Sequence, residues 1–116
     1  MVHYHQTITH MAQRKVTPAI INLAKRYKQE LQKVLPVEQV ILFGSQVKGT
    51  AKSYSDIDIC VVSPIFGKDR HDERVMLSQF VDNIDLRLEP HPLHPSDFQD
   101  KWDTFAQEVR RTGISV

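Results

Sequence analysis

The chain has 116 residues, 15 basic and 14 acidic side chains, a formal charge of +1 and 41% apolar residues. That suits one domain around one core and excludes wholesale disorder and fibrous repeats. The near-neutral balance lacks the basic footprint of strong nonspecific nucleic-acid binding. No apolar run reaches the roughly 18 residues that cross a bilayer, and the first residues lack a signal-peptide pattern, so the expected address is cytoplasmic with no membrane partner.

Residues 1–16, with His3, His5 and His10, show no strong periodicity and read as an arm or short helix before a domain over 17–116. Thr17-Pro18 is a helix start, and Ile20, Ala24, Tyr27, Leu31 and Val34 form one stripe of a helix running to Leu35. Pro36 ends it. Val37 to Phe43 reads as a buried strand stopping at Gly44-Ser45, and Asp56 to Val62 as a second strand whose alternation sends Asp56, Asp58 and Cys60 to one face. Cys60, the single cysteine, sits in an apolar run and is expected to be a small buried hydrophobe.

A helix is expected from Lys68 to about Val81. Ile84 to Glu89 then alternates, placing Asp85, Arg87 and Glu89 opposite Ile84, Leu86 and Leu88, with Pro90 closing the strand. Ser96 caps a last helix with Phe98, Trp102, Phe105 and Val109 as its apolar stripe and Gly113 at its end. These elements predict an α/β (α+β) fold, a small mixed sheet with helices packed on one face and acids on the other.

The acids carry the chemistry. Asp56 and Asp58 point the same way, and Asp85 on a neighbouring strand would complete a group of three carboxylates, whose repulsion calls for a cation. Oxygen-only ligands suit Mg²⁺ or Mn²⁺. Gly44-Ser45, directly after a strand, can offer backbone N–H groups and a hydroxyl to a phosphate, with Gly49 closing the short element that follows. A P-loop fails, since Thr50-Ala51 stands where Lys-Ser/Thr is required, and no GxGxxG occurs. Arg87 suits a carboxylate or a phosphate partner. His91 and His94 are three apart among prolines, which precludes a helical ligand pair and argues against zinc.

The stretch Leu42 to Asp58, with Gly44-Ser45, Gly49 and Ser55-Asp56-Ile57-Asp58, resembles the signature of the DNA polymerase β-like nucleotidyltransferase superfamily. The short length resembles its minimal members. The resemblance implies a nucleotidyltransferase fold and transfer of a nucleoside monophosphate, AMP from ATP, to a hydroxyl with release of pyrophosphate. It implies two Mg²⁺ or Mn²⁺ ions on Asp56, Asp58 and Asp85, with Asp85 also helping to deprotonate the acceptor. Gly44 and Ser45 would cradle the triphosphate. Lys48 would neutralise phosphate or remain a solvated lysine, and Ser55 would contribute to the nucleotide site or support the turn before Asp56.

In that family such short chains are often antitoxins that adenylylate a HEPN-domain ribonuclease toxin, which makes a protein the expected acceptor. The alternatives are a small-molecule acceptor and a noncatalytic antitoxin that binds its toxin. An open acidic face is also compatible with a homo-oligomer.

Overall fold

The structure, a computed structural model, describes residues 16–116. The expected N-terminal arm, 1–16, lies outside the described residues except for Val16, which is buried in the core. Thr17 caps helix α1 (Pro18–Gln32), its hydroxyl accepting from the Ile20 N–H at 3.3 Å. The helix buries Ile20, Ala24, Tyr27 and Leu31 as its periodicity requires, and it ends a turn before Pro36. That earlier ending turns Leu35 inward and leaves Val34, expected on the stripe, 61% exposed.

Four strands follow: β1 (Gln39–Phe43), β2 (Ile57–Val62), β3 (Leu88–Leu93) and the two-residue β4 (Ile114–Ser115). They lie in the order β3-β2-β1-β4. β1 is antiparallel to both β2 and β4, while β2 and β3 run parallel, so the sheet is mixed as expected. The short helix α2 (Ser45–Lys48) follows β1, α3 (Arg70–Ser78) joins β2 to β3, and α4 (Thr104–Thr112) precedes β4.

One face of the sheet, with Val40, Leu42, Ile57, Ile59 and Val61, packs on α1 and on Leu77 of α3. The Tyr27 hydroxyl donates to the Leu77 carbonyl at 2.8 Å, which satisfies a buried polar group and ties the two helices together. The opposite face holds Ile41, Phe43, Cys60, Val62 and Leu93 under Ala106 and Val109 of α4. Helices therefore cover both faces rather than one, because the apolar residues of β1 and β2 are buried on both sides. Burial also pushes the Cys60 thiol up to about 12, in keeping with a packing role.

Two expected elements shift. The third strand begins at Leu88, not Ile84, and runs on through Pro90 and Pro92 to Leu93. β3 is an edge strand, so it tolerates residues without an N–H, and Pro90, expected to close it, lies inside it with Pro92. The last helix is two pieces. A 3₁₀ segment (Pro95–Gln99) is capped by His94 and Asp97, and α4 starts afresh at Asp103, whose carboxylate accepts from the Ala106 N–H. Gln107 bonds the carbonyls of Phe98 and Asp100 across the break, and Trp102, expected in the core, is 80% exposed there. Among the described residues no helix is long and apolar enough to cross a membrane.

Candidate active site

β1 delivers Phe43 opposite Asp58 of β2, and the chain then turns through Gly44 into α2. Gly44 has φ +77°, and a Cβ there would lie 2.4 Å from Asp58 Oδ2. Glycine is needed twice over, for the left-handed backbone and for the carboxylate resting against it. Ser45 opens α2, and Gly49 closes it in the left-handed conformation as the sequence predicts. The buried Gln46 side chain donates to the Asp56 carbonyl at 3.3 Å, tying this turn to the start of β2. Sequence reasoning gave Gln46 no role. Ser55 Oγ accepts from the Lys52 N–H at 2.8 Å, so Ser55 supports the turn before Asp56.

Asp58 is paired with Glu89 across the parallel β2–β3 ladder, and Cys60 with His91. Strand alternation then sets Asp58, Glu89 and His91 on one face. Their ligand atoms all lie within 4.8 Å of one another. His91 Nε2 stands 3.5 Å from Asp58 Oδ1 and 3.7 Å from Glu89 Oε1, and this buried nitrogen has no hydrogen-bond partner. The ring packs edge-on to Phe43 at 5.3 Å and tilted to Phe105 at 5.4 Å. Arg74 of α3 pairs with Glu89 Oε1.

The remaining expected site residues are placed as follows. Asp56 is exposed immediately before β2, two residues from Asp58. Asp85 does not stand on the strand. It lies in the turn before β3, where Arg87 donates to it from its backbone N–H at 2.9 Å and its guanidinium at 3.0 and 2.8 Å. Those bonds hold the Asp85 carboxyl below the usual carboxylate range. The register error has one cause: the alternation of Ile84 to Glu89 belongs to a turn followed by one strand residue pair, and the true alternating set is Glu89, His91 and Leu93. Lys48 reaches Glu108 of α4 at 3.5 Å, both side chains about half exposed. Arg87 takes the carboxylate of Asp85 rather than a free anion.

Beside His91 opens a cavity of about 340 Å³ lined by Arg70, His71, Arg74, His91, Pro92 and Phe105. Arg70 is anchored to Asp103 at 2.6 Å and Asp97 at 3.4 Å. Burial alone would raise the Asp103 carboxyl, but the Ala106 N–H and the Arg70 guanidinium outweigh it and hold it low. Carboxylates and an unpaired imidazole nitrogen suited to a cation thus adjoin guanidinium groups suited to an anion.

Comparison with known proteins agrees with this geometry. The nucleotidyltransferase domain family matches residues 24–104. A protein of Haemophilus influenzae described as "Probable protein adenylyltransferase MntA" is 38% identical over 63 residues, which are 51% of this chain and 55% of that protein. The match therefore spans about half the length of that relative. A crystal structure of a "putative nucleotidyltransferase" from Sulfolobus solfataricus superposes with a TM-score of 0.61 at 24% identity, over 92% of this chain and 84% of that one, and shares the fold. With the signature turn, the parallel carboxylate pair and a family match over most of its length, the chain belongs to the nucleotidyltransferase domain family.

Proposed function

We propose that this domain transfers AMP from ATP to a hydroxyl on a protein partner, with release of pyrophosphate. The observation that carries the reading is the Asp58–Glu89 pair on adjacent parallel strands, with the Gly44 backbone against Asp58. Glu89 takes the place expected of Asp85. Asp58 and Glu89 would hold divalent Mg²⁺ or Mn²⁺, a pair that fits because their carboxylates converge with an unpaired buried nitrogen, and Asp56, exposed two residues before Asp58, would complete the set. Such ions stabilise the attacking and leaving oxygens of an in-line displacement.

The protein groups have separable tasks. The Gly44-Ser45 turn receives the triphosphate through backbone N–H groups and the Ser45 hydroxyl. Gln46 keeps that turn in register with Asp56, and Lys48 adds positive charge at the end of α2. The acceptor oxygen forms its bond to the α-phosphorus as the α–β bridging bond breaks, and the acceptor proton passes to Glu89. A protein that presents its own hydroxyl supplies the orientation a domain this small provides little surface to impose. The name of the Haemophilus relative supports a protein acceptor. A HEPN-domain toxin is the partner class we favour, with this chain as its antitoxin.

The test is label transfer from α-labelled ATP with Mg²⁺ into the proteins of a host-cell extract, beside the Asp56→Asn/Asp58→Asn variant. A discrete labelled band that the variant fails to give is expected. Equal labelling by both would overturn the reading.

A further inference from the structure

We propose that His91 Nε2 is itself a metal ligand, so that the centre is a mixed nitrogen–oxygen site favouring Mn²⁺ over Mg²⁺. The inference rests on Asp58 and Glu89 being metal ligands and on nothing said of the acceptor. An imidazole nitrogen removed from water and given no partner is costly, and His91 Nε2 is the buried side-chain polar atom left in that state among the described residues.

Asp58 Oδ1 and Glu89 Oε1, at 3.5 and 3.7 Å, are too far for good hydrogen bonds. They are at the right distance for sharing an ion, since donors each about 2.1 Å from one cation stand roughly 3 to 4 Å apart. The ring has little freedom to turn away. Phe43 and Phe105 hold it on two sides, and the strand register fixes its face beside Glu89 and Asp58.

The donor set then sets the preference. Mg²⁺ demands oxygen ligands and keeps its waters, whereas imidazole nitrogen binds the transition ions more strongly. Among these Mn²⁺ also accepts carboxylates and water readily, which suits a half-open site facing a triphosphate. Arg74 pairs with Glu89 Oε1, the same oxygen that stands 3.7 Å from His91 Nε2, so an ion bound there takes that oxygen in place of the guanidinium.

The test uses the whole chain and Mn²⁺ alone, without nucleotide. Free Mn²⁺ is titrated by its electron paramagnetic resonance signal, with Mg²⁺ as competitor, and the bound ion is examined by pulsed resonance for ¹⁴N coupling. The wild type should bind Mn²⁺ at least tenfold more tightly than Mg²⁺ and show nitrogen coupling. His91→Gln should abolish the coupling and weaken Mn²⁺ about tenfold while changing Mg²⁺ less than threefold. Bound Mn²⁺ without nitrogen coupling, equal Mn²⁺ affinity in the variant, or no binding at millimolar metal would each overturn the assignment. Should His91→Gln not fold, His71→Gln decides, since His71 is the other imidazole lining the adjoining cavity: nitrogen coupling that persists in it supports His91, and coupling lost in it overturns the assignment. Nitrogen-coupled Mn²⁺ without AMP transfer would remove the proposed activity and keep this site. AMP transfer by a protein whose Mn²⁺ shows no nitrogen coupling would do the reverse.

Discussion

The two faces of the sheet are built from the same strands and end differently. On the α1 face every inward residue of β1 and β2 is aliphatic and fully buried, from Val40 and Leu42 to Ile57, Ile59 and Val61. On the α4 face Ile41, Phe43, Cys60 and Val62 are covered, but beside Phe43 the row continues into Asp58 and Glu89, which are half-buried. Alternation along one strand therefore divides the labour. β2 contributes Ile57, Ile59 and Val61 to stability and, in the proposed function, Asp58 to chemistry, two properties that substitutions can separate.

The largest effect expected is on the acidic end of that row. Asp58→Asn should lower AMP transfer by about a thousandfold, some 4 kcal/mol in the barrier, and should leave the melting temperature unchanged or higher, because it removes one of two facing carboxylates. Parallel label-transfer and melting measurements check this. A large fall in melting temperature would show that the two faces are not independent.

On the closed face, Leu77→Ala should show the converse. Leu77 is fully buried against α1, so truncation should cost about 2–5 kcal/mol in denaturant unfolding, with Mn²⁺ affinity unchanged at temperatures where the protein stays folded. Gly44→Ala sits between the two faces in kind. Its φ of +77° with ψ −150° is a conformation essentially confined to glycine and costs roughly 1–3 kcal/mol for a residue with a Cβ, and the methyl would push on Asp58. Unfolding free energy and metal affinity should fall together, a joint loss that neither Asp58→Asn nor Leu77→Ala should give.

The same division explains what the sequence made legible. Helix α1 followed from Thr17-Pro18 and a clean apolar stripe, and the Gly44-Ser45 turn with Asp56 and Asp58 followed from a motif whose spacing is local. Both depend on residues near one another in the chain. The third carboxylate depends on which strand pairs with β2, and in what register. Pro90 reads as a terminator because proline is excluded from the middle of a sheet, yet the penalty vanishes on an edge, and edge position is a property of topology. In sequence His91 pairs most readily with His94, whereas its spatial neighbours Asp58 and Glu89 are 33 and two residues away and meet it through the parallel ladder. Trp102 joined the apolar stripe of a continuous helix, but Asp103 offers a better cap and restarts the helix beyond it.

The smallest expected effect sharpens the assignment of the third acid. Asp85→Asn should leave AMP transfer within about threefold of the wild type, since Asp85 is bonded to Arg87 in the turn and stands apart from Asp58, Glu89 and His91. Its contribution is to stability, at most about 1 kcal/mol for a pair this exposed, and it depends on pH. Because Arg87 holds the folded carboxyl below its unfolded value, near 3.9, the stabilisation is present above about pH 4 and fades as pH falls through the folded value, where both states bind the proton. Unfolding free energies of the wild type and Asp85→Asn should therefore differ at pH 6 and converge at strongly acid pH. A loss of transfer comparable to that of Asp58→Asn, in a protein with unchanged unfolding, would return the catalytic role to Asp85 and mean that the turn rearranges when nucleotide binds. An equal loss in Glu89→Gln alone would fix the third acid on β3, at the residue the parallel ladder pairs with Asp58.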